Sequence, residues 1–365
     1  PANHLKLAAA LRRQTEYAQA VLETALLRQA AAAKFSRAAQ MYFTRAALEQ
    51  ATSEAVALHR ARRFAAAGVA QIADLGCGIG GDALALAAHA EVTGVDWDPV
   101  RLAMAQENVR AYGNGARFHP LQADLLELTP LPVTGLFFDP ARRDEQGRRF
   151  HSVADYQPPL HWIHRWRTWV GETAVKVSPA IADEEVPPDA EVEFISVAGD
   201  VKDGVLWFGD LRTGAARQAT LLPGPHVLTS ADLPAGAVPV TAPGAYLYEP
   251  DKAVIRAHLV EALAVKLAAT KVDDDIAYLT ADAALETPFA TCHAVEDVLP
   301  FQLKRLRAYL RARGVGRVTI KKRGSPLAPE ELAQQLRLKG PFEKLLFLTF
   351  VQGEPTVIVA AAQRA

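Results

Sequence analysis

The stretch Ala73-Asp-Leu-Gly-Cys-Gly-Ile-Gly-Gly-Asp82 follows a short apolar run at 69–75 and precedes a helix-favouring segment at 82–89. A strand that turns through glycines into a helix lets the backbone approach a ligand closely, because glycine has no Cβ to collide with it. Working outward, strand patterns at 91–96, 116–119, 134–139, 174–177, 192–197 and 205–211 follow, with a helix pattern at 99–112. The last two strands are expected to form an antiparallel edge hairpin about residues 200–204. This alternation predicts an α/β fold with a doubly wound, Rossmann-like sheet.

Gly76, Gly78 and Gly81 satisfy G-x-G-x-x-G, and Asp96, ending the second strand, would hold a ribose in an NAD site as well as in any other. An NAD-dependent oxidoreductase is therefore the rival reading. Three further acids separate the two. Asp74, two residues before the first glycine, opposes a pyrophosphate and suits the ammonium and sulfonium charges of S-adenosylmethionine. Asp124, in Leu121-Gln-Ala-Asp-Leu125, follows the third strand, where it can accept a hydrogen bond from an adenine amino group. Asp139 ends the fourth strand, at the carboxyl edge where ligands of such sheets bind. The expected cofactor residues are Asp74, Gly76, Cys77, Gly78, Gly80, Asp82, Asp96, Trp97, Asp124 and Leu125. The backbone at 76–80 would line the methionine arm and Asp96 would take the ribose hydroxyls. The Cys77 side chain reads as a small loop residue.

Transfer from a sulfonium needs alignment and desolvation of the acceptor more than a strong base. Asp139 would orient or deprotonate an acceptor N–H or O–H, with Pro140 fixing the backbone beside it. Arg142 and Arg143 follow, and with Arg148 and Arg149 make a basic loop suited to a phosphate-bearing substrate, or one paired internally with Asp144 and Glu145. Lys176, in Val175-Lys-Val-Ser-Pro179, either lines the acceptor pocket or simply pairs with an acid. Methylation of a uracil ring carbon requires a cysteine nucleophile. Cys77 and Cys292 are the two cysteines, and neither lies on or just after the fifth strand, so a heteroatom acceptor is expected.

The 365 residues are half apolar, enough for two or three compact domains. A net charge of -1 excludes a general polycation, so nucleic-acid binding would rest on a local patch. The cysteine pattern suggests neither disulfides nor zinc, and no metal is expected. No run approaches the apolar length of a membrane span and no signal core is evident, which points to a cytoplasmic protein without a membrane partner. Residues 1–67 lack internal Pro and Gly over most of their length and predict a helical domain, whose run Leu48-Glu-Gln-Ala-Thr-Ser-Glu-Ala-Val-Ala-Leu-His-Arg60 places Gln50, Ser53 and Glu54 on a polar helix face. The Rossmann-like domain spans 68–219 and a Pro- and Gly-rich linker 220–245. Small α+β modules occupy 246–292 and 293–365, with helices at 252–269, 300–313 and 329–336 and strands at 276–280, 316–322, 344–351 and 356–361.

Between Phe301 and Ser325 every charged residue is positive. Such segregation is the footprint of a polyanion partner, or else a solvated helix face balanced by distant acids. Lys304, Arg307, Arg311, Lys321, Lys322 and Arg323, with Arg143, are the candidate RNA contacts. Phe301 and Tyr309 are the aromatics of this segment, so phosphate or shape recognition is favoured there over base stacking.

The Leu48–Arg60 run, the glycine loop, Asp139-Pro-Ala-Arg-Arg143, Val175-Lys-Val-Ser-Pro179, Tyr246-Leu-Tyr-Glu-Pro-Asp251 with Ile255-Arg-Ala257, and Ile320-Lys-Lys-Arg-Gly324 together resemble a bacterial family of class I methyltransferases with a C-terminal THUMP-like domain. The resemblance covers most of the chain. It implies S-adenosylmethionine as cofactor, a ferredoxin-like module at 246–292 and a THUMP-like module at 293–365, and hence a structured RNA such as tRNA or rRNA as partner. Two positions depart from the pattern: Asp96 where relatives often carry Glu, which preserves hydroxyl binding, and Val201-Lys-Asp-Gly204 where relatives carry Cys-Lys-Glu. The expected function is methylation of RNA at a base heteroatom. The alternatives are a small-molecule or protein acceptor, and a cofactor-binding RNA chaperone with little turnover.

Overall fold

The structure is a computed structural model that describes residues 15–141 and 152–362. Arg142, Arg143, Arg148 and Arg149 lie outside the described residues. Internal contacts divide the chain into two compact units: residues up to Glu193 together with Asp203–Gly214, and Phe194–Lys202 together with residues from Ala215 onward. Among the described residues no helix is long and apolar enough to cross a membrane.

The first unit begins with helices α1 (Ala18–Ala31), α2 (Arg45–Gln50) and α3 (Glu54–Ala66). Thr44 caps α2 by accepting from the Ala47 amide at 3.1 Å, a bond that replaces one missing at any helix start. Glu54, on the expected polar face, is partly exposed and accepts from the Ser36 amide and the Tyr112 hydroxyl at 2.6 and 2.8 Å. Along α3 the buried positions are Val56, Ala57, Arg60, Ala61 and Phe64, a stripe of helical period in which one position is an arginine.

The sheet follows with β1 (Gln71–Leu75), α4 (Ala83–Leu86), β2 (Glu91–Asp96), α5 (Pro99–Ala111), β3 (Phe118–Gln122), β4 (Gly135–Phe138), α6 (Trp162–Arg167), β5 (Glu172–Val177), β6 (Glu191–Val197) and β7 (Asp200–Trp207). In this unit the order is β3-β2-β1-β4-β5-β7, parallel except for β7, which pairs antiparallel with β5 through Gly204–Trp207. The Rossmann-like expectation is met. The order reverses between β1 and β4, so the crevice beyond their carboxyl ends is the place such a sheet offers a ligand. The β6–β7 hairpin turns at Ala198-Gly199, both with positive φ, not at 200–204. Nor is the hairpin an edge: β7 lies on β5, and β6 neighbours β8. Trp166 is fully buried and meets Phe138 edge-on at 4.9 Å, fixing α6 to β4.

The second unit continues with β8 (Arg217–Leu222), β9 (His226–Thr229), β10 (Tyr246–Pro250), α7 (Lys252–Arg256), α8 (Val260–Leu267), β11 (Thr270–Lys271), β12 (Leu279–Ala281), β13 (Ala290–Pro300), α9 (Leu303–Ala312), β14 (Val315–Lys322), α10 (Pro329–Leu336), β15 (Phe342–Val351) and β16 (Glu354–Ala361). The helix expected at 252–269 is broken in two, because His258 takes a left-handed φ of 59°. One seven-stranded sheet, β11-β12-β10-β13-β16-β15-β14, runs through residues 246–361, so the expected boundary at 292/293 falls inside β13.

Candidate active site

The glycine loop is held to its neighbours by its own backbone. The Gly76 and Cys77 amides donate to Val95 O at 2.9 and 3.0 Å, and the Asp139 amide donates to Leu75 O at 3.0 Å. These bonds bring the ends of β1, β2 and β4 to one edge. Gly76 has φ of 80°, and a Cβ there would lie 2.6 Å from Asp139 O, so no other residue fits the crossing of loop and strand.

Asp96 accepts from the Gly78 amide at 2.9 Å and from the Asp98 amide at 3.0 Å. Trp97 beside it is 72% exposed, leaving an indole at the same edge. Asp124 is exposed and accepts from the Leu126 amide at 2.8 Å; the Ala123 amide reaches Asp96 O at 3.2 Å, so the β3 end lies beside that of β2. Leu125 is half-buried there. Cys77 is buried, and burial together with Asp74 and Asp96 pushes its thiol well above the ordinary range, away from the thiolate a nucleophile needs.

Behind the loop lies a buried charge cluster that local motifs did not reveal. Lys176, 2% exposed at its side chain, donates to Asp139 Oδ2 at 2.7 Å and to Thr52 Oγ1 at 3.1 Å. Thr52 accepts also from Arg60 Nη2 at 2.9 Å. The same Nη2 lies 2.9 Å from Asp82 Oδ1, an ion pair off hydrogen-bond angle, and 3.5 Å from Asp203 Oδ2. Arg60 also sits 4.8 Å over the Phe137 ring. Four carboxylates, those of Asp74, Asp82, Asp139 and Asp203, thus share two cations. Of Lys176's two expected roles, the pairing with an acid is present, and that acid is Asp139. Thr52, Arg60 and Asp203 were missed; the arginine on the buried stripe of α3 was the available signal.

Asp74 is 1% exposed, and neither carboxyl oxygen has a hydrogen-bond partner among the described residues. Burial, with Asp82 and Asp139 nearby, pushes its pKa well above the carboxylate range. An unpartnered acid this deep is costly unless a ligand cation completes it.

Two relatives from Mycobacterium tuberculosis, of strains CDC 1551 and H37Rv, each described as an uncharacterized S-adenosylmethionine-dependent methyltransferase, are 38% identical over 339 residues, 88% of this chain and 89% of theirs. The chain belongs to the S-adenosylmethionine-dependent methyltransferases. A methyltransferase-domain family model matches residues 72–139 of the methyltransferase, and a THUMP domain-like model matches 290–362. The fold is shared over 96% of the chain with a crystal structure from Porphyromonas gingivalis W83, provisionally assigned as a methyltransferase, at 22% identity, a TM-score of 0.77 and 91% coverage of that chain. The methyltransferase's cofactor is S-adenosylmethionine, and the residues present fit it: a tight glycine cradle ending at Asp139 and a buried carboxyl, that of Asp74, whose oxygens accept no hydrogen bond among the described residues.

In the second unit, the expected RNA cations do not form one unpaired patch. Arg307 and Arg311 donate to the carbonyls of Gln335 and Arg337 at 2.5 and 3.0 Å, closing the carboxyl end of α10. Lys321 pairs with Glu249, and Arg323 lies 5.0 Å over the Tyr278 ring. Lys304 and Lys322 are exposed and have no partner among the described residues, and Arg305 is like them.

Proposed function

We propose that the enzyme methylates a structured RNA, tRNA or rRNA, at a heteroatom of a base, in the cytoplasm. The observation that carries this is the THUMP domain-like match over 290–362, in a unit that leaves Lys304, Arg305 and Lys322 free for phosphates. A heteroatom is favoured over a ring carbon because the cysteine of the catalytic unit, Cys77, is held protonated by its burial.

S-adenosylmethionine supplies a methyl group already activated on a sulfonium, so the protein's part is alignment. Asp74 would hold the cofactor's ammonium, the loop from Gly76 to Gly80 its methionine arm, Asp96 and Asp124 its ribose and adenine, with Asp82, Trp97 and Leu125 around them. Asp139 has one oxygen engaged by Lys176; its other oxygen would accept from the acceptor group. Pro140 is buried and Ala141 is bridged to Gln157, which holds this carboxylate at the end of β4.

The test of the RNA partner is filter binding of bulk tRNA and rRNA across about 50–200 mM salt. Reversing Lys304 and Lys322 to Glu is expected to weaken binding and lower the salt slope by about one per lost phosphate contact. Unchanged affinity and slope contradict their role, and no RNA binding by the wild type contradicts the reading itself.

A further inference from the structure

We propose that the exposed face of α6, Trp162 and Arg165 together with Trp169 just beyond the helix, is a docking surface for a single-stranded segment of the substrate RNA, on the catalytic unit itself. This rests on the RNA reading above and adds a site to it.

The segment is His161-Trp-Ile-His-Arg-Trp-Arg-Thr-Trp169, and no Asp or Glu occurs from Tyr156 to Gly171. Helical spacing divides its aromatics. Ile163 and Trp166 are fully buried against the sheet, while Trp162 and Trp169 stay partly exposed and Arg165 exposed. The Arg165 guanidinium lies 5.3 Å from the Trp162 ring and 5.6 Å from the Trp169 ring, so one cation stands between two indoles. No carboxylate pairs with Arg165 among the described residues. Asp189 is taken by Arg167 at 2.5 Å. His161 and His164 are exposed on the same helix.

Burial accounts for all of Trp166, whereas Trp162 and Trp169 each keep part of the indole at the surface. Two partly exposed indoles leave apolar ring surface in water, and the Arg165 guanidinium held over them by cation–π contact has no carboxylate partner among the described residues. The partner whose chemistry matches is a polyanion with flat faces: phosphates for Arg165, bases for the indoles. A duplex hides its bases, so an unpaired stretch is the form that fits. Trp166 packs on Phe138, the residue before Asp139, so the surface is rigidly tied to the strand that carries the acceptor-side carboxylate.

The experiment uses the full chain, a fluorescein-labelled single-stranded RNA of about twelve nucleotides and the same sequence annealed as a duplex. Affinity is read by anisotropy and, with unlabelled RNA, by quenching of tryptophan emission. Base–aromatic stacking is worth about 1–3 kcal/mol per base, so Trp162→Ala or Trp169→Ala is expected to weaken single-strand binding about fivefold or more, and Trp162→Phe to retain most of it. Arg165→Glu should weaken it also, with thermal melting unchanged. Quenching should diminish in Trp162→Phe although binding persists. Single-strand affinity and quenching at wild-type levels in all of these overturn the surface while the RNA reading stands. If neither RNA form binds the wild type, the RNA reading falls and this surface with it.

Discussion

The Asp96 carboxylate accepts a hydrogen bond from the Gly78 amide at 2.9 Å, so the acid that ends β2 also props the glycine loop that follows β1. One residue thereby shapes the cradle and, in the proposed reading, takes the cofactor's ribose. Asp96→Ala is expected to lower S-adenosylmethionine affinity at least about tenfold by calorimetry, the range of a lost charge-assisted bond. Asp96→Asn, which keeps an acceptor for Gly78, should fall between. Equal affinity in Asp96→Ala and wild type would show that neither role matters.

Arg60 sits where α3 should bury an apolar side chain, and it faces Asp82 and Asp203. Removing one partner of a buried ion pair strands the other, at a cost of about 3–5 kcal/mol. Arg60→Met is expected to lose stability of that order in urea unfolding, whereas Thr52→Val, which removes a neutral hydroxyl and leaves both cations their carboxylates, should lose about 1–2 kcal/mol. A loss below about 1 kcal/mol in Arg60→Met contradicts the buried network.

Two carboxyls make opposite pH predictions. Burial pushes Glu249 up, but His293 and Lys321 outweigh it and hold the group at about 2 against an ordinary 4.5. His293 Nε2 stands 3.7 Å away, too far for a hydrogen bond, so Lys321 is the stronger partner. The stabilisation is present above pH 4.5 and lost as pH falls toward 2; with partial exposure it amounts to roughly 1–2 kcal/mol. Glu249→Gln should flatten the acid limb of the melting curve, and an unchanged limb contradicts the pairing.

Asp74 has the reverse sign. Burial, then Asp82 and Asp139, raises its pKa well above 3.8, so the folded state binds the extra proton and stability falls as pH rises from 3.8 through that raised value. Relative to Asp74→Asn, the wild type should lose melting temperature across that window while alone retaining tight cofactor binding. A constant difference across the window contradicts the placement of the charge.

What the sequence disclosed was local. Asp74, Gly76, Asp96 and Asp139 stand at fixed offsets from strand ends, so spacing alone carried them to one edge of the sheet. Thr52, Arg60 and Asp203 come from a preceding helical segment and a later strand, and only packing brings them to Lys176. The long strand β13 was missed because Ala290-Thr-Cys-His-Ala-Val-Glu-Asp-Val-Leu-Pro300 lacks clean alternation, being paired on both sides with its exposure irregular. The run of positive charge at 301–325 was legible as composition, but not that Arg307 and Arg311 close a helix. The tryptophans of α6 divide between core and surface by helical phase, which is a property of the fold and not of their number.

The most direct test of the account is methyl transfer from radiolabelled S-adenosylmethionine to separated tRNA, rRNA, protein and small-molecule fractions, with Asp139→Asn as control. Label is expected in tRNA or rRNA, recovered on a base heteroatom and reduced at least about a hundredfold by the substitution. Label confined to protein or small molecules, with RNA blank, contradicts it.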